Sequence, residues 1–167
     1  MSPMAQVLGA AEAAERCIGA RVSGISGLAR DILAVELRAA DGEPLPHAEA
    51  GAHIDLHLPN GLVRQYSLVR PERAPRAYQI AVKRDAQSRG GSVWIHDAMR
   101  VGASIVISEP RNNFPLAESA SHSVLVAGGI GITPIWAMAQ RLEALGRSWE
   151  MHYAVRSRAD VAFAREL

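Results

Sequence analysis

Between residue 17 and about residue 107 the chain is cut every few residues by turn formers, and apolar and polar residues alternate between the cuts. That rhythm is the tightest constraint on the fold, because a period of two sends successive side chains to opposite faces of a strand. Residues 21–25 and 32–38 alternate imperfectly, as half-buried strands do. Asp41-Gly42 and the prolines Pro44 and Pro46 then break the pattern. Residues 53–58 alternate more cleanly, with Ile54, Leu56 and Leu58 on one face. Pro59-Asn60-Gly61 follows, and Asn-Gly between two alternating runs is a hairpin signal. Further strands are expected over 62–69, 78–84 and 104–108. Five or six antiparallel strands at this spacing predict a small barrel. One helix interrupts them over 93–99, with Ser92 as its expected N-cap after Gly90-Gly91.

After Pro115 the pattern changes. Residues 123–127 form a short apolar run, expected to be a buried parallel strand. Gly128-Gly129-Ile130-Gly131 then makes a glycine turn, and Thr133-Pro134 should open a helix as N-cap and first-turn proline. Ile135, Met138, Leu142 and Leu145 share one helical face, and Gly146 ends the helix. A second strand over 149–155 and the start of a second helix over 160–167 complete a β-α-β unit.

Charge narrows the partners. The net charge of +1 gives no global field to attract nucleic acid or a membrane surface. It is unevenly spread: residues 64–111 hold nine Lys and Arg against four Asp and Glu, whereas residues 1–63 hold four against eight. A basic middle third suits an anionic ligand, and equally a solvated basic face. Cys17 is the only cysteine, which excludes a disulfide framework and points to a reducing compartment. It also excludes an all-cysteine iron–sulfur cluster in this chain, since such a cluster needs four thiolates. Residues 1–16 are Ala-rich but carry Glu12 and Glu15 and lack a basic n-region, so they do not read as a signal peptide. No apolar run reaches the roughly 20 residues needed to cross a bilayer. The expectation is a cytoplasmic protein.

The basic third contains a pattern with chemical content. On a strand, alternation sends Arg64, Tyr66 and Leu68 to one face. A flavin site needs a flat wall for the ring, hydroxyl and backbone groups for the ribityl chain, and donors for phosphate. Arg64 can grip a phosphate through its fork, Tyr66 can lie along the ring, and Ser67 can hydrogen-bond beside it. Taken alone, the pattern is weak, and Tyr66 reads better as a core aromatic. Ala81-Val82-Lys83-Arg84 on a second strand and Arg89-Gly90-Gly91-Ser92 at a helix start shift the balance, because a glycine turn there offers free N–H groups to phosphate.

These motifs occur in order with Pro110-Arg111-Asn112-Asn113-Phe114-Pro115-Leu116 and with residues 126–134. The ordered set resembles the phthalate dioxygenase reductase and vanillate O-demethylase reductase group of the ferredoxin-reductase superfamily, from about residue 17 to the end. The resemblance implies an N-terminal tail over 1–16, a six-stranded antiparallel β-barrel flavin domain over 17–117, and the first β-α-β part of an α/β NAD(P)-binding domain over 118–167. It implies FMN, with FAD less favoured, held by Arg64, Gln65, Tyr66, Ser67, Ala81, Val82, Lys83, Gly90, Gly91, Ser92 and Thr133. Thr133 and Ser67 would stand at the reactive part of the ring. Gly128, Gly129, Gly131 and Pro134 would face the nucleotide, joined by Arg156 and Ser157. For Arg156 a solvated strand-end charge explains its position equally well.

On the same resemblance, NADH or NADPH would reduce the flavin. Electrons would then pass singly to a [2Fe–2S] centre in a missing domain or partner, serving an oxygenase. The alternative is a truncated flavin-binding module without complete hydride transfer. Only two strands of the nucleotide sheet are present, so a truncated chain, a split gene or a second chain completing the sheet is expected. Other chemistry is disfavoured. His53, Asp55 and His57 alternate as metal ligands could, yet edge-strand polarity explains them and no metal is expected. His47, His96, His122 and His152 are scattered, and no nucleophile elbow supports a hydrolase.

Overall fold

The computed structural model describes residues 17–70 and 75–167; the reading of residues 1–16 as a tail without a signal peptide lies outside them. Six strands form one sheet: β1 (Cys17–Ala29), β2 (Ile32–Ala39), β3 (His53–His57), β4 (Val63–Ser67), β5 (Tyr78–Lys83) and β6 (Ser104–Ser108). Their order is β4-β3-β6-β1-β2-β5, and every pairing is antiparallel. The expected barrel is not a closed ladder. Among the described residues the two end strands are bridged where Leu68, just past β4, pairs with Ile80 of β5, and the Val69 N–H donates to the Gln79 carbonyl at 2.9 Å.

Irregularities in β1 allow this rolling. Its register slips between Val22 and Gly24 and again between Gly27 and Ala29, and such bulges bend and twist a strand. The bent strand pairs with β6 through residues 17–21 and with β2 along most of its length. Inside lie Val22, Val35, Leu37, Ile54, Leu56, Ile80 and Ile107, nearly all inaccessible. Tyr78 joins them and satisfies its hydroxyl by donating to the Pro46 carbonyl at 2.6 Å. The helix α1 (Gly91–Asp97) plugs the core with Ile95.

The remainder is β7 (His122–Gly128), one 3-10 turn over Gly129–Gly131, α2 (Ile132–Ala144) and β8 (Ser148–Ala154), with β7 and β8 parallel. The expected face of α2 is buried through Ile135, Met138 and Leu142, while Leu145 lies past the helix end and is exposed. Gly146 terminates it at φ 64, a left-handed conformation natural to glycine. Ile32 and Ala81 of the six-stranded sheet share a second apolar cluster with Leu125, Ile132, Leu142 and Phe163. That shared core ties the two sheets together.

Two expectations fail here. Strand β7 is not buried on both faces: Val124 and Val126 are 56% and 68% exposed, because no described residue covers that side. Residues 160–167 do not form an α-helix. A 3-10 turn spans Arg158–Asp160, and Phe163 adopts φ 61 with its ring stacked on Trp136 at 6.3 Å. Burying the aromatic outweighs continuing a helical run. Among the described residues no helix is long and apolar enough to cross a membrane.

Candidate functional site

Strands β4 and β5 are opposite ends of the sheet order, which laid flat would separate them by roughly 24 Å at about 4.8 Å per strand. Rolling brings them together. Gln65, Tyr66 and Ser67 from β4, Ala81 and Lys83 from β5, and Ile130, Gly131, Thr133 and Pro134 from the turn and α2 line one cleft of about 320 Å³. Burial pushes the Tyr66 phenol above its ordinary pKa, against a smaller opposite pull from Arg64. The hydroxyl therefore stays protonated and able to donate. A second recess of about 240 Å³ shares Gln65, Tyr66, Ser67 and Pro134 with this cleft and adds Gly51, His53, Asn113 and Phe114. Phe114 is an exposed aromatic that sequence reasoning left out of the site. Its only signal was its place in the Pro110–Leu116 motif.

Arg64 and the glycine turn also meet. A Cβ added to Gly91 would stand 2.6 Å from Arg64 Nε and 2.8 Å from its Cγ, so only glycine lets this guanidinium lie along the start of α1. Arg64 Nη1 donates to the Val63 carbonyl at 2.8 Å. The expected N-cap is different: Gly90, at φ 100, occupies that position with no side-chain cap. The Ser92 hydroxyl turns outward from the helix end and accepts from the Asp85 N–H at 3.1 Å. Val82 is wholly buried in the core, and its carbonyl accepts from His96 Nε2 at 2.9 Å. Its side chain is therefore no part of the cleft wall.

At the second glycine turn, Gly131 rather than Thr133 caps α2. Thr133 sits two residues further on, in the first turn of α2, is buried, and donates its hydroxyl to the Ile130 carbonyl at 2.8 Å. Gly128 ends β7, and Gly129 takes φ 50. Gly129, Arg156 and Ser157 line a larger cleft of about 640 Å³ with Lys83, Arg30 and Asp160. Lys83 faces both clefts, which makes them neighbours. Arg30 and Asp160 carried no motif, so nothing local marked them.

The His53-Asp55-His57 row is explained differently from the edge-strand account. Strand β3 is interior, paired with β4 and β6. Asp55 is buried and pairs with Arg111 Nη2 at 2.6 Å. Burial pulls its pKa up, but the Arg111 guanidinium, with smaller help from Gln65 and His53, holds the carboxyl below its ordinary value. Among the described residues no group of three His, Cys, Asp or Glu is placed to hold a metal.

No protein-family model matches the chain. It is 53% identical over 146 residues to the tetrachlorobenzoquinone reductase of Sphingobium chlorophenolicum, covering 87% of this chain and 45% of that protein. It is 51% identical over 146 residues to a vanillate O-demethylase oxidoreductase of a Pseudomonas species, covering 87% and 46%. Phthalate dioxygenase reductase, described as a modular structure for electron transfer from pyridine nucleotides to [2Fe–2S], superposes with a TM-score of 0.87 at 43% identity. That match covers 90% of this chain and 47% of the solved one. The sheet, the β-α-β unit and the shared cleft thus define a ferredoxin-reductase-like oxidoreductase fold. Within that class, the chain is similar to one half of a vanillate O-demethylase oxidoreductase and of phthalate dioxygenase reductase. It spans about half the length of these relatives.

Proposed function

We propose that this chain is the flavin seat, with the opening of the nicotinamide-nucleotide site, of a reductase component serving an aromatic-ring oxygenase or demethylase. The observation that carries it is the single cleft shared by Gln65-Tyr66-Ser67, Ala81, Lys83 and the Gly131-to-Pro134 turn. Residues 17–117 form the flavin unit in this reading, and 118–167 the first part of the NAD(P) unit.

The donor set fits FMN better than FAD, because Arg64 resting on Gly91 beside Ser92 suits a terminal phosphate. Held by Arg64, Tyr66, Ser67 and Lys83, a flavin would supply two-electron chemistry with NADH or NADPH and one-electron chemistry with a [2Fe–2S] centre, for which this chain has no four-cysteine ligand set. The protein's work is binding and orientation. Tyr66 supplies a flat wall and a protonated phenol, Ser67 a hydroxyl beside it, and Lys83 a cation at the junction of the two clefts. Gln65 and Ala81 line the cleft and would border the ring, and Val82 would contribute backbone alone. Thr133 orders the Gly131 turn through its bond to Ile130, so its role is to shape the wall next to the ring. Gly128, Gly129, Gly131 and Pro134 form the nucleotide-facing turn, with Arg156 available to an anionic group. The iron–sulfur acceptor, and any second chain completing the parallel sheet, belong to the same proposal.

One observation favours a narrower reading, a flavin-binding module without hydride transfer: the parallel sheet has two strands and an exposed Val124–Val126 face. The visible spectrum of the purified chain, identification of the released flavin, and anaerobic addition of NADH or NADPH separate the two. Bleaching supports the reductase, and flavin that stays oxidised supports the module. Failure to bind any flavin on reconstitution overturns both. Arg64→Ala should weaken FMN about 10–100-fold, the loss of charge-assisted phosphate bonds, with riboflavin changed about twofold or less. Equal losses in the two titrations would remove Arg64 from the phosphate.

A further inference from the structure

We propose that Arg30, on the tight turn between β1 and β2, is a positioning residue of the nucleotide site. It fixes residues 157–160 in the shape that the cleft of about 640 Å³ offers to a phosphate-bearing nucleotide. The proposal rests on the nucleotide reading above.

Arg30 reaches this loop three ways across the chain. Its backbone N–H donates to the Ala159 carbonyl at 2.8 Å, its Nη2 to Ser157 Oγ at 2.5 Å, and its Nε pairs with Asp160 Oδ1 at 3.2 Å. Ser157 Oγ in turn donates to Asp160 Oδ2 at 2.8 Å, and the Asp160 N–H donates to the Ser157 carbonyl at 3.0 Å. The single proton of the Ser157 hydroxyl is therefore committed inside the loop. Ser157 then serves the site by holding the loop, and the cations left to meet an anion are Lys83 and Arg156.

The turn is itself anchored. Asp31 adopts φ 57, a left-handed conformation that costs a non-glycine residue energy, and its carbonyl accepts from the Arg84 N–H at 2.7 Å. Arg84 forms an ion pair with Asp97 on α1. A strained residue held from the sheet side thus presents its neighbour to the nucleotide loop. Electrostatics gives the contact a consequence. With Arg30 in place the Asp160 carboxylate is neutralised; without it, an uncompensated negative charge lines a cleft meant for phosphate. The pair is half exposed, so its contribution to stability is small.

That combination separates positioning from scaffolding. In the FMN-loaded chain, Arg30→Ala should raise the NADH dissociation constant about tenfold, read by fluorescence titration. It should also speed amide exchange at residues 158–161, while the FMN dissociation constant moves about twofold or less and the melting temperature shifts about 3 °C or less. Arg30→Lys should recover part of the NADH affinity by restoring charge. Asp160→Asn in the Arg30→Ala background should recover part by removing the bare carboxylate. If Arg30→Ala binds NADH as the unsubstituted chain does, or loses FMN and NADH alike, the proposal is wrong and the flavin reading stands. If the unsubstituted FMN-loaded chain binds no NADH, the nucleotide reading fails and takes this inference with it.

Discussion

Gly51→Ala is expected to destabilise the chain by about 3 kcal/mol or more and to weaken flavin binding with it. Gly51 has φ 94, where a Cβ alone costs roughly 1–2 kcal/mol. The added atom would also stand 1.9 Å from the Phe114 carbonyl oxygen, 3.0 Å from its carbon and 3.1 Å from Asn112 Oδ1. Two of these are backbone atoms, which cannot swing aside as a side-chain tip does. The Asn112 amide donates to the Ala50 carbonyl at 3.1 Å and its oxygen accepts from the Phe114 N–H at 3.1 Å, so the 112–114 segment is stitched onto the strand entry. Relief would shift Phe114, which shares the recess with Tyr66 and Ser67. A thermal melt should show a midpoint lower by roughly 10 °C, and FMN titration a parallel loss. Gly42→Ala is the control: φ is 83 there but an added Cβ meets open space. A loss at Gly42 as large as that at Gly51 would mean that backbone conformation, and not the Phe114 contact, sets the effect.

The second large effect is expected at Arg111. Arg111→Met leaves the Asp55 carboxylate, 8% exposed, without the guanidinium that now meets it at 2.6 Å. Orphaning a buried charge costs about 3–5 kcal/mol, and the 32% exposure of Arg111 places this case toward the lower end. The pH dependence follows from the direction of the shift. The folded-state pKa of Asp55 lies below its ordinary value, so the pair's stabilisation is fully present above that ordinary value. It is lost as pH falls through the lowered folded value. Denaturant melts at pH 7 should therefore separate wild type from Arg111→Met widely, and the gap should close in acid. A gap that is constant from pH 7 to pH 3 would show that Asp55 is not the group responsible. Asp55→Asn/Arg111→Met, which removes the charge with its partner, should recover much of the loss.

Both predictions fall on the seam between residues 49–55 and 110–114, and its two sides were not equally legible. The Pro110–Leu116 run stood out as a motif, yet neither the Gly51 contact nor the Asp55–Arg111 pair has a local signature. The alternating row His53-Asp55-His57 reads as an edge strand because polar residues normally face water. Strand β3 is nevertheless interior, and Asp55 is tolerated there because a residue 56 positions away neutralises it. Ser92 shows the same limit at shorter range. Its type and place predict a cap, but the loop at Asp85 competes for the hydroxyl and Gly90 takes the cap position.

What the sequence alone determined was whatever depends on neighbours along the chain. The alternation located all six antiparallel strands, with β6 matched at both ends and the others to within a few residues. The apolar run, glycine turn and 3.6-residue stripe located the β-α-β unit and the end of its helix at Gly146. The ordered motifs pointed to the reductases that the chain resembles in sequence and in fold. Tertiary structure decided whatever depends on residues distant in sequence. It left the sheet as an unclosed ladder bridged at Leu68 and Ile80, replaced a final helix by a buried Phe163 on Trp136, and set Arg30 against a loop 127 residues away. The physical reason is range. Period, turn chemistry and capping are local free energies of the kind a pattern records. Closure, burial and ion pairing depend on which surfaces the fold brings into contact, and only the folded chain specifies that.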